Sequence, residues 1–246
     1  MSNTRTRYIM MHKTNAHYEA GGKPSPQLVA KIGTMVVDLM ATNSMLAGEG
    51  LRSSAEGVRV TFSGGERTIV PGPFVPHTKE LPAGFSILRT ATIDEAVDFA
   101  TEQAEILGDV EMDIRPVTEP WDIGMAEAPA KIETRRYMIL RKATPQTEAG
   151  TAPTADQRSR LALLIDDATR RGVHLATESL KPSRRGRRLT NTRNGVVMVD
   201  GPFAETKELI GGYVVVLAES IDEVAGWADR YIRIADTDEI DIREVE

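Results

Sequence analysis

The chain repeats itself, and that repeat limits what it can fold into more than any other feature. Arg7-Tyr8 returns as Arg136-Tyr137, and the same offset aligns Leu46–Leu51 with Leu175–Leu180 and Gly72-Pro73-Phe74 with Gly201-Pro202-Phe203. One residue is then lost. Thr78-Lys79-Glu80-Leu81 aligns with Thr206–Leu209, and Glu111–Arg115 aligns with Glu239–Arg243. In all, 35 of 110 aligned positions are identical with a single gap. Self-similarity at a fixed offset is the signature of a duplicated structural unit. The copies span 7–117 and 136–245. Residues 118–135, which carry prolines and a Trp-Asp turn, are expected to be a linker crossing between them.

Both copies share one layout. A strand (Tyr8–Lys13; Tyr137–Lys142) leads through a polar loop to an amphipathic helix. Leu28, Ile32, Met35, Val36 and Leu39 share one helical face, as do Leu161, Leu164, Ile165 and Ala168. Ser25 before Pro26 is an N-cap, and Thr154 with Gln157 is a capping box. Asn43 and Gly172 are suited to left-handed C-caps. A second strand follows, then a hairpin turning at Gly64-Gly65 or Asn194-Gly195. A further strand, a helix opening at Thr92-x-x-Glu95 or Ser220-x-x-Glu223, and a last strand complete each copy. The order matches a split βαβ, with helices on one face of an antiparallel sheet. The fold class is therefore α+β: two ferredoxin-like units whose helix-free faces pair, an internal dimeric α+β barrel.

Composition narrows the function. Of 246 residues, 41% are hydrophobic and 27% charged, as in globular proteins. Without cysteine there is no disulfide, thiolate metal site or cysteine nucleophile, and four histidines argue against a metal cage. No metal or cofactor is expected. No apolar run reaches membrane-spanning length, and Met1–Arg7 lacks a signal-peptide core, so the expected location is cytoplasmic with no membrane partner. The net charge of −6 argues against nucleic acid. A basic hairpin holds Lys181, Arg184, Arg185, Arg187, Arg188 and Arg193. No aromatic residues interleave it, and Arg184, Arg185, Arg187 and Arg188 are expected to be exposed.

The run Asp200-Gly-Pro-Phe-Ala-Glu-Thr-Lys-Glu-Leu-Ile-Gly-Gly-Tyr213 resembles the DGPF proteins of the YCII-related family. The opening Arg-Tyr-Met strand and the Leu-x-x-Glu-x-Leu segment stand in the same order, and the resemblance covers nearly the whole chain. It implies a ferredoxin-like fold paired into a dimeric α+β barrel and an unsettled biochemical role. It also implies a link to extracytoplasmic-function sigma factors, and in some relatives a His-Asp pair tied to acid-base catalysis. The first copy departs from the pattern, with Pro71 where the motif has Asp, so its half-site is degenerate.

The candidate catalytic residues are Asp200, Lys207 and Glu178; Asp200 also reads as a turn carboxylate. Candidate ligand-binding residues are Glu49, Lys79, Glu205, Glu208 and His12. Thr-Lys-Glu recurs in both copies, so Lys79 and Lys207 read either as shared loop structure or as cations for an anionic ligand. Asp200 is expected to lie near Lys207. Glu49 and Glu178 sit in strands where a buried carboxylate is costly unless paired. Two functions remain open: a small-molecule-binding or regulatory pseudo-dimer with a cleft between its units, or an enzyme moving protons there. The partner is an unknown small molecule, with homo-oligomer formation as a further reading.

Overall fold

The structure, a computed structural model, describes residues 5–74, 81–203, 209–235 and 237–246. The first copy contributes β1 (Thr6–Lys13), α1 (Ala16–Glu19), α2 (Pro26–Ala41), β2 (Met45–Gly50), β3 (Val58–Ser63), β4 (Glu66–Pro71), β5 (Pro82–Thr90), α3 (Ile93–Leu107) and β6 (Val110–Pro116). The second contributes β7 (Arg135–Lys142), α4 (Pro145–Ala149), α5 (Ala155–Arg170), β8 (His174–Ser179), β9 (Arg187–Thr192), β10 (Gly195–Asp200), β11 (Ile210–Ala218), α6 (Ile221–Ile232) and β12 (Glu239–Glu244). The class is α+β, with two antiparallel six-stranded sheets and six helices among the described residues. No described helix is long and apolar enough to cross a membrane.

Local chemistry sets the helix ends as the sequence predicts. Ser25 Oγ accepts from Leu28 N at 3.2 Å, with Pro26 in the first turn. Thr154 and Gln157 cap each other at 3.2 and 2.9 Å. Thr92 and Ser220 accept from the N–H groups of Glu95 and Glu223. Those glutamates in turn accept from Ala91 and Glu219, one residue ahead of the cap. Asn43 and Gly172 both hold positive φ, at 51° and 72°, after the helix ends. Only Met35 and Leu39 of the α2 face are buried.

The strand orders are β10-β9-β12-β1-β11-β2 and β4-β3-β6-β7-β5-β8. Each sheet thus takes two strands from one copy and four from the other, in equivalent positions. The compact units follow the sheets. One holds the described residues of Met1–Gly50 and Leu180–Glu246, the other those of Leu51–Val75 and Leu81–Ser179. The copies at 7–117 and 136–245 therefore do not map one-to-one onto compact units.

The linker departs from its expected path for the same reason. Residues 118–134 join β6 to β7, which are antiparallel neighbours from Met112↔Arg141 to Pro116↔Tyr137. The segment closes this pair instead of crossing between units. Glu119 holds Arg136 with two bonds at 2.9 and 2.8 Å, and Asp122 meets Arg52 at 2.7 Å. Consecutive strands usually lie side by side, and tied ends favour that outcome. The chain passes between units at Gly50/Leu51 and Ser179/Leu180 instead.

Each sheet carries its helices on one face. In the first unit Tyr8, Met10, Val216, Ile240 and Ile242 pack with Val224, Ala228 and Ile232 of α6. In the second, Leu88, Met112, Ile114 and Ile139 pack with Val97 and Ala100 of α3 and Leu164 of α5. Side chains alternate along a strand, so the residues between these face away from the helices.

Candidate functional site

One cross-strand row runs over the helix-free face of each sheet. In the first unit Val199, Arg188, Asp241, Met11, Tyr213 and Glu49 stand opposite one another from β10 to β2. In the second the row is Val70, Arg59, Asp113, Leu140, Phe85 and Glu178. Directly opposed residues share a face. Glu49 and Glu178 are thus half-buried carboxylates on that face, each at the end of its row.

An ion cluster sits toward the other end. Asp241 receives Lys13 Nζ at 2.8 Å and the Arg188 guanidinium at 2.6 and 3.0 Å. Asp113 receives Lys142 Nζ at 2.7 Å and Arg59 at 2.6 and 2.9 Å. Glu239 lies 3.2 Å from Arg188, and Glu111 lies 3.6 Å from Arg59. Side chains of Lys13 and Asp241 are fully buried. Burial alone raises a carboxyl pKa, but the lysine and arginine beside each aspartate outweigh it and hold both below their ordinary value. Each cluster is assembled by the strand exchange: Lys13 comes from the first copy and its partners from the second, and the reverse holds for Lys142.

The Gly-Pro-Phe segments serve these clusters. The Phe203 ring lies 4.4 Å from the Arg188 guanidinium carbon, and Phe74 lies 4.8 Å from that of Arg59. Gly72 and Gly201 press against short 3₁₀ turns at Ser54–Glu56 and Ser183–Arg185. A Cβ there would stand 1.7 Å from the Ser54 carbonyl oxygen, or 1.8 Å from that of Ser183. No backbone tolerates that approach, so Gly72→Ala or Gly201→Ala should cost about 2 kcal/mol or more. Gly33→Ala, on an open face of α2, should instead stabilise by about 0.5–1 kcal/mol. Urea titrations of the three variants check both.

Asp200 lies elsewhere. Its side chain is 77% exposed and accepts from Arg187 at 2.8 Å, the residue opposite it in the β9–β10 hairpin. Its expected neighbour Lys207, with Lys79, Glu205 and Glu208, lies outside the described residues. Asp200 and Glu178 belong to different units. The basic hairpin also differs from expectation. Arg184 and Arg185 are exposed, but Arg188 is half-buried against Asp241, and Arg187 is held by Asp200 and Asp222. Strand alternation explains it: neighbouring arginines on β9 face opposite sides.

His12 faces the helices. Its Nδ1 lies 3.3 Å from the Tyr231 hydroxyl on α6, and its ring packs on Gly211 and Gly212. Burial, aided by Lys13, brings its pKa down to about 4, so the imidazole is neutral at pH 7. The aligned residues of the other copy are Arg141 and Gln103, so this pair exists once. His174 sits between the hydroxyls of Thr169 and Thr177, a structural role. The described residues contain no metal-ligand cluster.

Sequence reasoning missed both ion clusters. The signal was present: Lys, Arg, Glu and Asp recur identically at 13/142, 59/188, 111/239 and 113/241. A family model for the YCII-related domain matches residues 135–246, so that domain is found in this part of the chain. The match straddles both compact units. No curated protein matches the chain.

Proposed function

We propose that the chain is a YCII-related small-molecule-binding protein, with ligands lying along the helix-free rows. Binding, not turnover, is favoured by one observation above all: the aspartates of the rows are each locked by two cations. A carboxylate so held stays ionised at neutral pH and is a poor proton carrier. What remains along each row is an amphipathic strip. It runs from the cluster over Met11 and Tyr213 to Glu49, or over Leu140 and Phe85 to Glu178. At about 4.8 Å per strand it spans about 14 Å, the length of a small metabolite. The same reading takes each sheet and its helices as a ferredoxin-like unit and the pair as an internal α+β barrel.

Acid-base catalysis is the second reading, supported by His12. A neutral imidazole beside a partly buried phenol can take and return a proton. A thermal-shift screen of amino acids, dicarboxylates and polyamines separates the two. Hits should lose at least half their shift in Glu49→Gln or Glu178→Gln and keep it in Asp200→Asn. Hits indifferent to both glutamates would overturn the row as the site. Consumption of a hit, followed by NMR and abolished by His12→Gln, would establish the enzyme.

A further inference from the structure

The edges of the two sheets are not equally protected. An edge strand presents unpaired N–H and C=O groups, and proteins guard such edges with charge, proline or brevity. The edge strand β4 carries Glu66, Arg67 and Pro71. The edges β2 and β8 carry Glu49 and Glu178, with glycine in the first and His174 in the second. The edge strand β10 reads Gly-Val-Val-Met-Val-Asp, with no charge before its last residue. Val197, Met198 and Val199 are all exposed, close to half of each side chain. Met198 lies on one face and the two valines on the other, so the strip is apolar on both sides.

We infer that β10 is the docking edge for a second copy of this chain, joined antiparallel about a two-fold axis at Val197. The ends of the strand select this occupant. Asp200 closes one end and the exposed Arg193 sits in the turn at the other. In antiparallel self-pairing Val197 meets Val197 and Val196 meets Met198. Asp200 falls opposite Asn194, beside Arg193 of the second copy, and the two-fold axis repeats that ion pair. A parallel arrangement would set Asp200 against Asp200. A closed two-fold contact also consumes the edge, which stops further growth.

Sedimentation velocity on the full chain tests the inference. The wild-type chain should sediment as a dimer at micromolar concentration. Val197→Lys sets like charges directly opposite and should give a monomer. Ile69→Lys, on the guarded edge β4, should leave the dimer intact. Arg193→Asp should weaken the dimer at least tenfold, and Arg193→Lys should keep it. This change of surface charge decides the matter even if Val197→Lys melts early. A monomeric wild type, or a dimer that survives Val197→Lys and Arg193→Asp, overturns the proposal.

Discussion

Asp241→Asn should destabilise the first unit by about 3–5 kcal/mol, the cost of removing one partner from a buried ion cluster. The carboxylate accepts from Lys13 and Arg188, and without its charge the two cations keep only Glu239, 3.8 and 3.2 Å away, as a counter-ion in a largely buried site. Typical domains have only about 5–15 kcal/mol of stability in all, so the loss is a large share. Asp113→Asn should act alike on the second unit, where Lys142 and Arg59 hold the equivalent carboxylate. A fourfold replacement of Lys13, Asp241, Arg188 and Glu239 by apolar residues should cost less than Asp241→Asn alone, because the whole charged cluster is then removed together. Urea denaturation of the variants measures each. A loss below about 1 kcal/mol for both aspartates would place the clusters among exposed pairs.

The same carboxylates give the pH dependence a sign. Asp113 and Asp241 have folded-state pKa values below the unfolded one. Their contribution is therefore complete above about pH 4, the ordinary carboxylate value, and is lost as pH falls through the lower folded value. Glu244, held by Lys181 and Arg185, works in the same direction. Asp241→Asn should accordingly flatten the acid limb of the stability profile while lowering its plateau.

Local features were legible in the sequence because local chemistry decides them. The caps at Ser25, Thr154, Thr92 and Ser220 and the turns after Asn43 and Gly172 follow from neighbouring residues alone. The strand exchange was not legible. The first strand of either copy, Arg-Tyr followed by apolar residues and a lysine, suits the slot beside β6 or β12 equally well. Only the connections decide between them. The ion clusters were hidden for a related reason. A lysine ending a strand, or an arginine in a basic hairpin, reads as solvated until the register sets it against Asp241 or Asp113. The Asp200–Arg187 pair was hidden by a one-residue shift: the turn lies at Arg193-Asn194 instead of the expected Asn194-Gly195, and that register sets Asp200 opposite Arg187.

Residues 51–179 should fold alone as a monomer, whereas residues 135–246 should fold only as an exchanged dimer. The first fragment holds a whole sheet, β4-β3-β6-β7-β5-β8, with its own core and the Lys142–Asp113–Arg59 cluster. The second holds four strands of one sheet and two of the other. Its β12 lacks β1, its β11 lacks β1 and β2, and Asp241 lacks Lys13. Its own β7 could fill the gap only if the chain turned back between β8 and β9. That connection, 180–186, is fastened to β12 instead: Lys181 N donates to the Glu244 carbonyl at 2.9 Å, and Arg243 Nε donates to the Lys181 carbonyl at 3.1 Å. With the connection fixed in this way, a second molecule must supply the missing strands. Both fragments should carry Val197→Lys where they contain that residue, so that pairing through β10 does not add to the count. Light scattering reads the mass and circular dichroism the melting. A monomeric 135–246 with a sharp melt would trace the exchange to the covalent join between the copies, and an unfolded 51–179 would show that the second unit does not stand without the first.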